Sequence, residues 1–244
     1  MLRRFFATLG FLSRLAPARV IAEEDMRRAM FHLPLCGLVI GVAVCAPALA
    51  GFFAGRPLVQ AWTVVLLSVY FTRGLHLDGL SDVMDGAAQH TSPERFWTIV
   101  KDSRCGTFGV GAVVLALLGQ TALFAEVLGH ARAWMLPWVF VFGRACGVCF
   151  GGVNRAYSRP GLGGLFLSGA DAKAVCWALL LALGPALWLN PLAALYAVLT
   201  VLVLLTPLYR LVRAVAGVNG DFLGASIIMG ELAAAAGLVL TLAP

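Results

Sequence analysis

The stretch AVCWALLLALGPALWLNPLAALYAVLTVLVLLTPLY, residues 174–209, carries no charged side chain and is broken near its middle by Asn190-Pro191. A bilayer-spanning helix needs about 20 apolar residues, and a residue before proline is where a helix is expected to stop and turn. The stretch therefore reads as two membrane helices, 174–189 and 191–209. Working outward, five further segments are long and apolar enough to cross a bilayer: roughly 33–55, 57–76, 105–125, 133–153 and 222–243. The expected fold is all-α, a polytopic membrane bundle of about seven transmembrane helices forming one integral domain over 1–244.

Composition agrees. The chain is 61% hydrophobic and 12% charged, against about 45–50% and about 25% for a soluble domain. That excludes a soluble enzyme, a disordered tail and a nucleic-acid module, and leaves no room for a separate soluble domain. The net charge of +6 could mean nucleic-acid binding, but in a membrane chain the placement of the basic residues matters more. Lys and Arg in successive non-membrane segments, with Arg73 at the end of the second span counted in the loop that follows, number 6, 1, 4, 1, 3, 0, 2 and 0. This alternation is the positive-inside pattern. It predicts a cytoplasmic N-terminus, an external C-terminus and 15 of the 18 basic residues inside, with Arg56 and Arg132 outside and Arg144 within the fourth span.

The opening MLRRFFATLGFLSRLAPAR imitates a signal peptide, with Ala16-Pro17-Ala18 as a cleavage-like site. Ser13 and Arg14 interrupt the apolar run, so residues 1–28 are expected to form a retained amphipathic interfacial helix. Cys146 and Cys149 form a CxxC, but an apolar helical context makes them packing residues rather than a metal or redox pair. Small residues at four-residue spacing, Gly37/Gly41 and Gly143/Gly147/Gly151, would let helix backbones approach closely.

The densest polar information is RGLHLDGLSDVMDG, residues 73–86, opening an acidic and basic loop over 73–104. At 3.6 residues per turn, Asp78, Asp82 and Asp85 fall within about 60° on one helical face. Like charges at this spacing repel, and a divalent cation would relieve them. Magnesium is typically held by one or two carboxylates plus substrate phosphates, which fits an acidic helix end better than a closed cage. The plain alternative is a solvated acidic helix end. It is disfavoured here because five of the twelve acidic residues, Asp78, Asp82, Asp85, Glu94 and Asp102, sit in this one loop. His76 reads equally as a base or phosphate contact and as an interfacial histidine.

KDSRCGTFG at 101–109 adds Lys101 and Arg104 as cations, Asp102 as a further carboxylate, and Gly106 and Gly109. Cations beside an acidic metal site are what a pyrophosphate needs. Arg144, placed mid-span where a charge costs about 2.5–3.5 kcal/mol on insertion scales, reads either as a phosphate contact or as a structural partner of Glu231. Arg155, followed by the turn Tyr157-Ser158-Arg159-Pro160-Gly161, is a further phosphate candidate. GVNGDFLGA at 217–225 places Asn219 and Asp221 in a glycine-flanked turn, where Asp221 is a metal ligand or an N-cap.

In this order along nearly the whole chain, HLDGLSDVMDG, KDSRCGTFG, GVNGDFLGA and the opening FLSRLAP with Gly37/Gly41 resemble the cobalamin 5′-phosphate synthases, or adenosylcobinamide-GDP ribazoletransferases. Ser13 stands where Thr is common in that family, Val100 where Met often precedes KDSR, and Asn219 where Thr is usual. The resemblance implies a multi-pass enzyme of the bacterial inner membrane that requires Mg²⁺ and has its active site facing the cytoplasm. It would join adenosylcobinamide-GDP to α-ribazole, or to its 5′-phosphate, with release of GMP. Residues and resemblance converge on phosphoryl transfer. Asp78, Asp82, Asp85, Asp102 and Asp221 are expected as metal ligands, and Asp82, Asp78 and His76 as catalytic groups. Lys101, Arg104, Arg144, Arg155 and Asn219 are expected as phosphate contacts.

The expected partners are the two substrates and the lipid bilayer, with no nucleic acid and the question of a homo-oligomer open. A CDP-alcohol phosphotransferase would place Ala-Arg three residues after the Asp-Gly, whereas Leu80-Ser81-Asp82 follows Asp78-Gly79 here. A transporter would spread polar residues through several spans. Here they crowd on one side.

Overall fold

A computed structural model describes residues 2–17, 22–89 and 91–242; Ala18 of the cleavage-like site lies outside them. Helices account for nearly all of the described chain. The segment before the first span forms two short helices, α1 (Leu2–Leu12) and α2 (Glu23–Arg27). The apolar stretches become α3 (Ala29–Leu49), α4 (Pro57–Thr72), α7 (Thr107–Gly129), α8 (Leu136–Asn154), α10 (Ala172–Leu189), α11 (Pro191–Ala214) and α12 (Gly220–Val239). Between them lie α5 (Leu75–Gln89), α6 (Pro93–Val100) and α9 (Leu162–Ser168).

Six of these helices meet the length and apolarity of a membrane span, and α4 with α5 forms a bent pair. The span read at 57–76 ends earlier, at Thr72, because the chain turns 88° between the two helices. Arg73 (φ 58°) and Gly74 (φ 68°) are both left-handed, the conformation that ends a helix. Gly74 adopts it without a Cβ penalty. Arg73, the first residue of the polar stretch, donates from its guanidinium to the Gly10 and Phe11 carbonyls at 3.2 and 2.5 Å. It thereby satisfies carbonyls that the end of α1 leaves unpaired. The loop read over 73–104 is thus mostly helix, with α5 lying across the end of the bundle and α6 packed beneath it.

Helix α12 is the hub, packed against α5, α7, α8 and α11. In α8 and α12 78% of the apolar window is inside the protein, against 22–28% in α7, α10 and α11, so the first two form the core and the others present side chains to lipid. The glycine spacing explains the close approach. A Cβ at Gly147 would lie 2.7 Å from Ile227 Cγ1, and one at Gly41 2.8 Å from the Pro137 carbonyl.

The spans alternate in direction, so the start of α3, the end of α4, the start of α7, the end of α8, the start of α10, the end of α11 and the start of α12 share one end of the bundle. Every polar motif lies there. Contacts at the opposite end include Gln60 with the Phe52 carbonyl at 2.7 Å and Asn190 with Thr241 at 3.0 Å.

Candidate active site

The acidic face of α5 is graded in depth. Asp78 is exposed, Asp82 half-buried and Asp85 buried. The buried carboxylate accepts the backbone N–H groups of Gly106 and Gly109 at 2.6 and 2.9 Å. These are first-turn donors of α7 that no helical carbonyl can reach. A Cβ at Gly109 would sit 2.8 Å from the Ser81 carbonyl, so this position needs glycine for closeness. Ser81 Oγ lies 3.0 Å from Cys105 Sγ. Asp85 thus fastens KDSRCGTFG to the acidic helix, and both its oxygens are engaged.

Across from α5 stands the start of α12. A Cβ on Gly79 would meet the Asp221 Cα and carbonyl oxygen at 2.8 Å, so the glycine of the Asp-Gly pair lets the two backbones touch. The N-cap of α12 is Asn219 rather than Asp221: its Oδ1 accepts the Asp221 N–H at 3.2 Å, and its Nδ2 donates to Asp221 Oδ2 at 2.6 Å. Asp82 feels the result. Burial, followed by the carboxylates of Asp78, Asp221 and Asp85, pushes its carboxyl up to about 7.

A cavity of about 380 Å³ opens beside this junction, with His76, Asp78, Asn219 and Asp221 on its polar side and Phe11, Leu33 and Phe166 among its apolar walls. Its rim is the strip Pro160-Gly161-Leu162-Gly163-Gly164, which continues the turn expected at 157–161 into three residues, 162–164, to which the motifs assign no role. The strip is held by a parallel bridge between Ser158 and Val218. In that bridge Val218 donates to the Tyr157 carbonyl at 2.9 Å and Arg159 to the Val218 carbonyl at 3.0 Å. Gly163 then packs on Gly220, whose Cα would be 2.9 Å from a Cβ there. The only local signal was the glycine run itself, because the pairing that gives it meaning spans 60 residues. Trp97 of α6 braces the same corner: it donates to the Val215 carbonyl at 3.0 Å and lies under the Arg159 guanidinium at 4.3 Å.

Asp82 and Asp85, further along α5, are outside this cavity's lining, as are the remaining expected site residues. Arg104 pairs with Asp102 within its own loop, Nη2 to Oδ2 at 2.7 Å, which holds the Asp102 carboxyl at about 2. Lys101 is exposed beside them. Arg144 is 1% exposed and ion-paired with Glu231, whose other oxygen accepts from Gln120 at 2.7 Å. A small cavity of about 20 Å³ separates this buried trio from the acidic site, with His76 lining both. Arg155 belongs to a different cavity. Among the described residues no group of three or more His, Cys, Asp or Glu side chains forms a ready metal cage. The uncompensated carboxylates around Asp82 still fit a cation of the magnesium kind, for which one or two carboxylates and a substrate phosphate suffice.

A helical membrane bundle with a carboxylate-rich cavity at the end where its loops gather defines a polytopic membrane protein with an interfacial site. The chain belongs to the cobalamin-5-phosphate synthase family, whose model matches residues 4–239. It is 42% identical over 240 residues to an adenosylcobinamide-GDP ribazoletransferase of Nitratidesulfovibrio vulgaris strain Miyazaki F, covering 98% of this chain and 95% of that one. To the protein of the same name from Klebsiella pneumoniae strain 342 it is 34% identical over 241 residues, covering 95% and 97%. No solved structure gives a significant match.

Proposed function

We propose that the acidic cavity is where this transferase completes a cobamide. The chain joins adenosylcobinamide-GDP to ribazole, as its family and the names of its relatives indicate. We place the reaction on the cytoplasmic side of a bacterial inner membrane, where nucleotide-bearing substrates arrive and where basic loop residues collect.

In the reaction a ribose hydroxyl attacks the phosphorus that bears the cobinamide arm. The bond from that phosphorus to the bridging oxygen breaks, and GMP departs. Asp78, Asp82 and Asp221 would hold Mg²⁺, which when bound supplies charge neutralisation on the pyrophosphate. Asp82, at the centre of these carboxylates, is the group placed to take the hydroxyl proton. Asn219 fixes Asp221 from the cap of α12. Gly163 and Gly164 let the rim strip pack against the start of α12 and the Arg159 carbonyl, beside the carboxylates. Asp85 positions Lys101 and Arg104 at the edge of the site, where they offset charge on the departing nucleotide. His76, buried between the cavity and the Arg144–Glu231 pair, orients the inner wall.

The observation that carries this reading is the meeting of α5 and the start of α12, which brings Asp78, Asp82 and Asp221 together across 139 positions of sequence. The test is to incubate membranes containing the protein with adenosylcobinamide-GDP and α-ribazole, with and without Mg²⁺. The reading expects GMP and a complete cobamide only with the metal. Undiminished product in excess chelator would overturn the metal assignment, and near-normal turnover by Asp82→Ala would overturn the site.

A further inference from the structure

On the other side of α9 from the acidic cavity lies a second and larger one, of about 860 Å³. Short helix α9 separates them: Phe166 lines the first, Ser168 and Gly169 the second. The second is ringed by Arg4, Arg27, Arg28, Arg155 and Lys173, with Asp171 as its single acidic lining residue.

These charges are arranged in two tiers. Arg4 is held by Asp25 at 2.6 Å, Arg28 by Glu24 at 3.1 Å and Arg27 by Glu23 at 4.0 Å, so the acids of α2 fix three guanidinium groups around the opening. Arg155 and Lys173 make no ion pair among the described residues. Asp171 is occupied as the N-cap of α10, accepting the Ala174 N–H at 2.8 Å. Two exposed cations thus face a cavity with no counter-charge assigned to them.

Its depth identifies the occupant. The first turns of the apolar helices α3 and α10 line the cavity, with Phe31 and His32 from one and Lys173 and Ala174 from the other. There Phe31 and Trp177 stack with centroids 5.3 Å apart and planes 6° from parallel. Aromatic rings at the start of two spans mark the water–bilayer boundary, so the cavity sits at headgroup level. Below it α10 turns Cys176, Leu179 and Leu180 outward, a surface along which acyl chains can lie. A basic pocket between membrane helices at this depth recognises anionic lipid headgroups.

We propose that this cavity binds the phosphodiester headgroup of an anionic membrane phospholipid, with Arg155 and Lys173 as its primary contacts. The site is distinct from the acidic cavity and does not depend on the catalytic reading.

The full-length protein, stripped of lipid in neutral detergent, is titrated with phosphatidylglycerol or phosphatidylcholine, and bound lipid is counted by native mass spectrometry. The proposal expects phosphatidylglycerol to be retained in preference to phosphatidylcholine. The double variant Arg155→Ala/Lys173→Ala should bind it about thirtyfold more weakly, while Arg155→Lys/Lys173→Arg keeps it. Both side chains are exposed, so an unchanged melting temperature in phosphatidylcholine shows that the alanine variant is folded. Each single alanine variant gives the same reading should the double one unfold. Equal retention of the two lipids, or wild-type affinity in the alanine variants, would overturn the proposal. Displacement of phosphatidylglycerol by equimolar inorganic phosphate or ribazole 5′-phosphate would also overturn it, by making the cavity a site for soluble phosphate esters.

Discussion

The carboxylate of Asp85 accepts the Gly106 N–H at 2.6 Å, joining the acidic helix α5 to the first turn of α7. A buried carboxylate on two backbone donors is both an N-terminal cap and a charge at the positive end of a helix.

Removing that carboxylate should therefore loosen the KDSRCGTFG loop without emptying the membrane of protein. Asp85→Asn keeps the shape and one acceptor but turns the other oxygen into a donor facing a backbone N–H. We expect a loss of about 1–3 kcal/mol in stability and a fall in kcat larger than the change in KM, because a small displacement of catalytic groups is costly. Thermal unfolding in detergent and steady-state kinetics check this. Wild-type kcat in Asp85→Asn would show that the clasp does not position the loop.

The buried pair Arg144–Glu231 distinguishes a structural role from a phosphate contact. Breaking it with Glu231→Gln leaves a charge inside the bundle, which typically costs about 3–5 kcal/mol, whereas replacing both partners with apolar residues of similar volume is often close to neutral. The double variant Arg144→Met/Glu231→Leu should accordingly be more stable than Glu231→Gln and retain substantial transfer activity. Complete loss of activity in a stable double variant would instead place Arg144 among the groups that contact substrate.

Asp82 gives a pH dependence whose sign can be worked out. Its carboxyl keeps a proton up to about pH 7 in the folded protein, while an unfolded chain releases it in the usual carboxylate range near 3.9. Between those values the folded state binds more protons, so its contribution to stability is lost as pH rises through the window. Without divalent metal, the melting temperature should fall between about pH 4 and pH 7 and level off above that, by less in Asp82→Asn. Added Mg²⁺ should restore it chiefly at the upper end, because a cation competes with the proton. A melting curve independent of pH in the wild type, or the same slope in Asp82→Asn, would contradict this account.

Local patterns were readable where the structure is local. Uncharged runs bounded by turn residues marked the spans, and helical spacing put Asp78, Asp82 and Asp85 on one face. Spacing could not say how deep each residue lies. That depends on which neighbour covers it, and it turns Asp85 inward to the α7 amides while Asp78 stays open. The bend after Thr72 was hidden because hydropathy continues across it, although Arg73-Gly74 supplies a helix-stop signal. The glycine strip 160–164 was legible only as the end of a turn, for a different reason. Its function comes from the bridge between Ser158 and Val218, a pairing no periodicity encodes. The Arg144–Glu231 pair was legible as an alternative, since two charges buried in apolar spans need each other.

The side of the membrane that carries the site can be tested with a thiol already present. Cys105 lies in the KDSRCGTFG loop and is exposed, whereas Cys36, Cys45 and Cys146 are buried. Cys176 is also exposed, but on an apolar helix face, where a charged reagent does not dissolve. The basic loops share the end of the bundle that carries Cys105, and such loops stay on the cytoplasmic side. A membrane-impermeant maleimide should therefore modify the protein in inside-out vesicles and not in right-side-out ones, with Cys105→Ser abolishing the reaction. Because Cys105 Sγ lies 3.0 Å from Ser81 Oγ beside the acidic helix, labelling should also inhibit transfer, and adenosylcobinamide-GDP should slow it. Labelling from the outer side alone would place the catalytic end of the bundle away from the nucleotide pool and overturn the cytoplasmic assignment.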